Sequence, residues 1–192
     1  METNPEKSDI ELVALTLRDS NNFYFLMKRY ESRLLRYIHR ISNVDNPSAE
    51  DILQDTFIKI YQNLNGFDLD LKFSSWVYRI THNEIISHIR KMKVRPQTIN
   101  STEEDIAELI NILPDNTNLA KEYEREELAK KVHEIINNLS ENYKTVLILR
   151  FMEDKSYEEI SDILQKPMGT IATLVNRAKK QFEQLALKNN LQ

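Results

Sequence analysis

Apolar residues recur every three or four positions along several stretches of this chain, which is the spacing of amphipathic helices. The same spacing predicts helices at 49–64, at about 74–92, at 119–137 and at 141–151. Another predicted helix, from about Asn21 to Ile41, has an apolar side and an arginine side: Phe23, Leu26, Tyr30, Leu34, Tyr37, Ile38 and Ile41 against Arg29, Arg33, Arg36 and Arg40. We interpret the arginine row as a solvated surface, and we expect an all-α fold.

Small polar residues mark the starts of several predicted helices. Ser8 and Glu11 have the spacing of a capping box, in which each side chain bonds a free N–H group of the first turn. Ser48 is predicted to cap the helix 49–64. The apolar spacing also predicts that Tyr61 and Phe151 are buried.

An acidic segment separates two groups of predicted helices. Residues 1–96 carry a formal charge of +1, residues 97–125 carry −5 and residues 126–192 are neutral, within a net charge of −4. Such a balance argues against tight independent DNA binding, which depends on many cationic contacts with phosphate. We predict two small helical domains joined by an acidic linker: a first domain at 1–95, a linker at 96–118 and a second domain at 119–192.

The stretch from Ser156 to Lys180 predicts two short helices joined by a tight turn. Ser156 and Glu159 have the capping-box spacing, and Pro167 suits the first turn of the second helix because it has no N–H to donate. The exposed face of that second helix carries hydroxyls, an amide and cations: Thr170, Thr173, Asn176, Arg177 and Lys180. Such groups hydrogen-bond base edges and neutralise phosphate, which predicts a helix-turn-helix that reads duplex DNA. A helical hairpin with a solvated polar face stays open as the alternative.

A separate stripe on the predicted helix 49–64 consists of Asp51, Gln54, Asp55 and Ile58, which lie three or four residues apart. Acids in a first helical turn complement the helix dipole, which explains Asp51 well. The dipole explains Gln54 and Asp55 less well, because they lie further along the helix.

Aromatic and basic residues are interleaved between Phe67 and Arg95. The loop FDLDLK leads into a predicted helix from about Ser74 or Ser75 to Met92, which exposes Arg79, His82, Asn83, Ser87, Arg90 and Lys91. Rings stack on unpaired bases while cations hold the backbone, so the combination suits single-stranded nucleic acid. A simpler explanation also stays open, in which the aromatics belong to the core and the late cations complement the helix dipole.

Composition disfavours several other classes of protein. The chain has no cysteine, no apolar run of the roughly 20 residues that span a membrane, and a polar, acidic N-terminus unlike a signal peptide. We therefore expect a cytoplasmic protein without membrane insertion. His39, His82, His88 and His133 are scattered and no E-x-x-H motif occurs, so we expect no metal, no cofactor and no catalysis.

Three stretches together resemble the sigma factors of the extracytoplasmic-function (ECF) group, within the sigma-70 family. They are AEDILQDTFIKIY, FSSWVYRITHNEIISHIRK and NNLSENYKTVLILRFMEDKSYEEISDILQKPMGTIATLVNRAKKQF, in that order along the chain. The resemblance covers roughly 10–95 and 120–185. The third stretch taken alone is shared with other transcription regulators, whereas the first two are more specific to sigma factors.

The resemblance implies roles for particular residues. It implies that the stripe of Asp51, Gln54, Asp55 and Ile58 binds the clamp of the polymerase β′ subunit, and that the second domain contacts the β flap. It implies that the −10 promoter element is melted and read by Lys72, Phe73, Trp76, Arg79, Asn83, Ser87, Arg90 and Lys91, with Asn83 near a flipped base. It implies that the −35 element is read in the major groove by Thr170, Ala172, Thr173, Asn176, Arg177 and Lys180.

This chain departs from the family pattern at several of these positions. The family often has arginine at the position of His82, aspartate at Ser87, and basic residues at Ala172 and Leu174. Fewer cations on the −35 helix predict weaker phosphate anchoring or a different −35 sequence. Many members of the family are held inactive by an anti-sigma factor, which the resemblance adds as a further partner beside core polymerase and promoter DNA.

Two other functions stay open at this point. A helix-turn-helix regulator would bind DNA alone, as a dimer, and would need an effector or receiver domain, for which the first domain shows no βαβ pattern. A carboxylate-bridged metal enzyme would need a ligand set, and Glu50, Asp51 and Asp55 are the acids available on the predicted helix 49–64.

Overall fold

A computed structural model describes residues 7–92 and 119–188 of this protein, and the regular structure of these residues is entirely helical. The α-helices are α1 Asp9–Arg18, α2 Phe23–Ser42, α3 Asn46–Asn63, α4 Phe73–Met92, α5 Leu119–Asn137, α6 Glu141–Leu147, α7 Tyr157–Leu164 and α8 Met168–Lys188. Short 3₁₀ turns at Ser20–Asn22 and Leu64–Gly66 follow α1 and α3, and a π-helical segment at Ile148–Met152 extends α6. The all-α prediction is confirmed.

The chain divides into two compact units. One unit comprises 1–100 with 158–165, and the other comprises 101–157 with 166–192. The predicted domain limits and the linker at 96–118 stay predictions, since the linker lies outside the described residues.

Hydrogen bonds at the N-terminus of α1 hold it in register with α2. The capping box is present, because the Glu11 N–H donates to Ser8 Oγ and the Ser8 N–H donates to Glu11. The Ser8 hydrogen bonds lower the pKa of Glu11. From α2, Arg29 binds Asp9 at 2.7 Å and Tyr30 Oη donates to the other Asp9 oxygen at 2.6 Å. Burial, together with this hydrogen bond, raises the pKa of Tyr30.

The core of the first unit, which comprises 1–100 with 158–165, forms where α3 packs against both α2 and α4. Leu34, Tyr37 and Ile38 of α2 are fully buried there, as are Ala49 of α3 and Ile85 of α4. Burying large apolar side chains contributes roughly 1.5–3 kcal/mol each, so these contacts dominate the stability of the bundle. The apolar side predicted for α2 is therefore its buried side.

The arginine side of α2 is less solvated than its spacing predicts. Arg40 is 2% exposed and Arg29 is partly buried in its ion pair with Asp9. The prediction of a solvated row is wrong at these two positions and at Arg36, which is half-buried, because α1, α3 and α4 all pack against α2. Arg33 is exposed as predicted.

Helix α3 starts three residues earlier than predicted. The Asp45 side chain accepts the Ser48 N–H at 3.1 Å, so Asp45 is the cap and Pro47 lies in the first turn. This hydrogen bond lowers the pKa of Asp45. The prediction that Ser48 is the cap is therefore wrong. The sequence signal was ambiguous because Asp and Ser are both strong caps.

The second unit is built around α8, which packs against α6 and α5. Val146, Leu149, Ile171, Val175 and Ala178 are among its most buried apolar residues. Phe151 and Tyr61, which the spacing predicts to be buried, are 50% and 47% exposed. Both predictions are wrong. Phe151 lies in the π-helical segment, whose different period rotates the side chain away from the helical stripe.

Candidate nucleic-acid interfaces

The predicted clamp stripe is an exposed surface on α3. Asp51, Gln54, Asp55 and Ile58 all face solvent, and Ile58 is 54% exposed although it is a large aliphatic residue. The residues that alternate with them along the chain are buried, namely Ile52, Leu53, Thr56 and Phe57. One face of α3 therefore packs in the core, and the other is a solvent-exposed surface of two acids, an amide and an isoleucine.

A cavity of about 560 Å³ opens between the C-terminal half of α3 and the first four turns of α4. This volume lies in the range of about 300–1,000 Å³ that is usual for small-ligand sites. Its lining combines an apolar wall with amide, hydroxyl and charged groups: Lys59, Asn63, Gly66, Trp76, Ile80, Asn83, Glu84 and Ser87. The cavity thus brings three of the predicted −10 residues, Trp76, Asn83 and Ser87, to one site.

The aromatic residues of this region form a cluster beneath the cavity. The Trp76 ring centroid lies 5.2 Å from that of Phe67 and 5.6 Å from that of Phe73. Phe73 is 3% exposed and Trp76 is 8% exposed. Phe73 is therefore a core residue rather than an open stacking surface, whereas Trp76 is mostly core and also lines the cavity.

The remaining predicted −10 residues differ in exposure. Lys72, Asn83, Ser87, Arg90 and Lys91 are exposed, and Arg79 is half-buried. The prediction that Arg79 and His82 are exposed is wrong, since both are half-buried. The Nδ1 atom of His82 lies 3.1 Å from the hydroxyl of Tyr37. The helical period places position 82 against α2, so this histidine ties α4 to α2 instead of facing a ligand.

The loop before α4 has a defined turn. The Asp68 side chain accepts the Asp70 N–H at 3.0 Å and its carbonyl accepts the Leu71 N–H at 3.1 Å. Between these bonds Leu69 projects into solvent, with 63% of its surface exposed. The loop therefore presents one apolar side chain flanked by two acids.

The polar face of α8 is exposed as the sequence predicts. Thr170, Thr173, Asn176, Arg177 and Lys180 face solvent, Ala172 is half-buried, and Ile171, Val175 and Ala178 are buried on the other side. Thr173 Oγ1 donates to the Gly169 carbonyl at 2.9 Å, so its hydroxyl keeps lone pairs for an incoming donor. The five exposed residues lie on one side of the helix, as a duplex reader requires.

The turn before α8 is stabilised by two backbone features. Gln165 has a positive φ of 52°, which ends α7, and the Pro167 carbonyl accepts the N–H groups of Thr170 and Ile171. The helix begins at Met168, one residue after the proline. The predicted order of helix, tight turn and helix is confirmed.

Sequence reasoning missed several residues of the cavity, namely Lys59, Asn63, Ile80 and Glu84. A signal for them was present, since Trp76, Ile80, Asn83, Glu84 and Ser87 recur at helical spacing on α4. The pairing of this face with the end of α3 is a tertiary contact and has no counterpart in the local pattern. Lys59 Nζ binds Glu84 Oε1 across that contact.

Within residues 7–92 and 119–188, no helix is both long and apolar enough to cross a bilayer. Over the same residues, no three His, Cys, Asp or Glu side chains gather closely enough to hold a metal ion.

Family comparisons match both parts of the chain. Residues 26–95 match the family model described as Sigma-70 region 2, and residues 129–182 match Sigma-70, region 4. These ranges contain the α3 stripe, the cavity and the polar face of α8.

Several bacterial proteins are similar over most of their length. The RNA polymerase sigma-H factor of Pseudomonas aeruginosa is 33% identical over 182 residues, covering 93% of both chains. The ECF RNA polymerase sigma factor SigW of Bacillus subtilis is 32% identical over 167 residues, covering 84% of this chain and 87% of that protein. The ECF RNA polymerase sigma-E factor of Haemophilus influenzae is 32% identical over 174 residues, covering 86% and 87%.

Two solved structures share the fold. CnrH, in complex with the cytosolic domain of CnrY, has a TM-score of 0.65 at 19% identity, covering 93% of this chain and 97% of that one. The sigma factor RpoE of Bartonella quintana, in complex with the anti-sigma factor NepR, has a TM-score of 0.56 at 21% identity, covering 83% and 95%.

Proposed function

This chain belongs to the ECF group of the sigma-70 family of RNA polymerase sigma factors, and we propose that it reads the two promoter elements with two separate surfaces. The first surface is the cavity between α3 and α4 with the exposed cations of α4. The second is the polar face of α8. Binding to core RNA polymerase holds both surfaces on one promoter.

The cavity is the observation that carries the assignment of the −10 element. It is open to solvent and has room for a nucleobase, and its α4 side presents the apolar groups of Trp76 and Ile80 on the same helix face as the amide of Asn83. A base that leaves the duplex needs both features, since stacking on an apolar wall replaces lost base stacking and polar groups satisfy the Watson–Crick edge. We place one flipped base of the non-template strand in this cavity.

Opening the duplex costs a few kcal/mol per unstacked base, and capture of that base offsets the cost. Arg90 and Lys91 lie one turn beyond Ser87 on α4 and are exposed, so they are placed to hold the strand backbone that leads away from the cavity. Base–aromatic stacking contributes about 1–3 kcal/mol in other single-strand binders, but Phe73 is too buried to supply it here. Trp76 is an aromatic residue of the cavity lining, so we assign the stacking to the part of its ring that lines the cavity.

We assign duplex binding at the −35 element to α8. Asn176 and Arg177 are exposed next to each other and offer an amide and a guanidinium, the groups that pair with adenine and guanine edges in the major groove. Thr170 and Lys180 lie at the two ends of the same face and suit phosphate contacts. These residue roles fix the register of the protein on the promoter.

The α3 stripe supplies the contact with the polymerase clamp. Asp51 and Asp55 are exposed and Ile58 presents an apolar side chain beside them, which is the composition of an interface with a basic, partly apolar partner. The neutral charge of residues 126–192 favours this arrangement, because the protein then depends on polymerase for stable DNA binding.

A sigma factor of this kind contributes binding energy rather than a reaction, so we propose that the chain has no enzymatic activity and works in the cytoplasm beside polymerase. As part of the same proposal, the second unit contacts the β flap. The anti-sigma partner stays a prediction, because the two solved complexes share only the fold with this chain.

The test is run-off transcription with purified core RNA polymerase on a promoter library. The library carries random bases in the −10 and −35 windows, and the products are sequenced. We expect enrichment of one short motif in each window, with no products from core polymerase alone. A chain that neither binds core polymerase nor enriches any motif would refute the proposal.

A duplex gel shift without polymerase separates this function from the helix-turn-helix regulator. A sigma factor of this charge balance should bind duplex weakly and without sequence preference when alone. Tight and specific binding by the isolated chain would favour the regulator.

A further inference from the structure

We propose that Glu84, held by Lys59 in the cavity between α3 and α4, selects a flipped base with an exocyclic amino group and rejects thymine. The inference rests on the proposed function, since it assigns a chemical preference to the cavity that takes the base. It concerns a residue pair that the sequence did not single out.

The placement of the pair is specific. Glu84 lies on α4 between the cavity residues Ile80 and Ser87, and its side chain is only 11% exposed. Lys59 comes from α3 on the opposite side of the cavity, with its side chain 49% exposed. The carboxylate is thus the enclosed partner and the ammonium is the solvated one, and both line the cavity.

The hydrogen bonds leave the carboxylate able to accept from a ligand. Lys59 Nζ uses Oε1 of Glu84, whereas a carboxylate has two oxygens and about four lone-pair sites. Lys59 also balances the negative charge, so that a strand with a phosphate backbone can approach the cavity. The ion pair therefore keeps a charged acceptor at a site where an isolated carboxylate would repel the ligand.

The chemistry of the bases then decides the preference. Cytosine, adenine and guanine each carry an amino group, and carboxylates accept from such groups in base recognition. Thymine presents two carbonyl oxygens on either side of a single N–H, and these oxygens repel a carboxylate. Asn83 does not discriminate in this way, because its amide offers both a donor and an acceptor and can serve either kind of base.

The experiment compares base preferences in the same run-off library, using holoenzyme made with each variant. Wild type should disfavour thymine at one −10 position by about tenfold, the size expected for one good base contact. Glu84→Gln removes the charge and adds an amide donor, so the bias against thymine at that position should fall to within about twofold. Lys59→Gln keeps the carboxylate and an N–H donor beside it, so the bias should persist while total transcription falls.

The control is Glu31→Gln, which breaks the surface ion pair of Glu31 with Lys28 on α2, outside the cavity. It should change neither the bias nor the yield. Thermal unfolding of each variant checks the fold. If Glu84→Gln does not assemble with core polymerase, Glu84→Asp serves instead, because it keeps the charge and withdraws the oxygens by one methylene.

The outcomes separate this inference from the proposed function. An unchanged bias in Glu84→Gln, or equal effects of Glu84→Gln and Lys59→Gln, would overturn the inference and leave Glu84 as a structural tie between α3 and α4. In that case the wild-type motif still stands. Wild-type holoenzyme without any base preference in the −10 window would overturn the proposed function, and the inference with it.

Discussion

Reversing the charge of the α3 stripe tests the polymerase surface without disturbing the fold. The variant carries Asp51→Lys together with Asp55→Lys. Both carboxylates are exposed in the free chain. Exposed substitutions usually change the free energy of unfolding by no more than about 0.5 kcal/mol.

The neighbouring Lys59 adds a small loss of folding stability. A lysine at position 55 lies four residues before Lys59, and like charges at that spacing cost about 0.2–0.5 kcal/mol in a helix. Lys59 is engaged by Glu84, which reduces the repulsion further. We therefore expect a loss of stability of at most about 1 kcal/mol, far below the roughly 5–15 kcal/mol of a folded domain.

The effect on polymerase binding should be much larger. Truncating one member of a buried interfacial charge pair costs about 2–5 kcal/mol. Two reversed charges should therefore cost at least about 4 kcal/mol, which weakens binding by about a thousandfold. A competition assay measures this, in which each variant displaces fluorescent wild-type chain from core polymerase.

The matched control is Glu134→Lys together with Glu183→Lys, which makes the same change in net charge at two exposed acids outside the stripe. This control should compete within a few-fold of wild type, since only long-range steering is altered. Competition by the stripe variant at wild-type affinity, with an unchanged melting curve, would refute the clamp assignment.

Three further predictions address other parts of the chain. Arg177→Ala should weaken recognition of the −35 element by about 1–3 kcal/mol, measured as transcription from promoters that differ only there; unchanged selectivity would show that α8 is not the reader. Asp45→Asn should keep the cap of α3 but lose a pH-dependent contribution to the free energy of unfolding. Because the Ser48 hydrogen bonds lower the pKa of Asp45, its carboxylate stabilises the folded chain above the unfolded pKa of about 3.9, and this effect is lost as the pH falls through the lower pKa of the folded state. In urea titrations the advantage of wild type over the variant should therefore shrink as the pH falls below about 3.9. Tyr30→Phe should lower the free energy of unfolding by about 1–3 kcal/mol, because the hydrogen bond from Tyr30 to Asp9 is lost. Tyr24→Phe, at an exposed tyrosine, should have no effect. Equal urea midpoints for Tyr30→Phe and wild type would contradict the prediction.

The local pattern was most informative where one helix face alone decides the outcome. The stripe on α3 and the polar face of α8 are exposed as their spacing predicted, because a 3.6-residue period separates buried from solvated positions without reference to the partner helix. The capping box at Ser8 is equally local, since both of its hydrogen bonds join residues three apart.

Predictions failed where packing between helices determines whether a side chain is buried. Arg40, which the spacing places on a solvated side, is almost completely buried, and His82 turns toward Tyr37 of another helix. Phe151 is exposed because a π-helical segment changes the period after α6, which no propensity of its residues announces.

Taken alone, the sequence predicted the order of the helices, the capping box at Ser8, the exposed polar face of α8 and the family to which the chain belongs. The tertiary structure decided which of the candidate −10 residues share one cavity, and it added Lys59 and Glu84 to them. The reason is physical. A helical period specifies which way each side chain points, but a cavity exists only where two helices meet, and that meeting depends on the shapes of buried side chains far apart in the sequence.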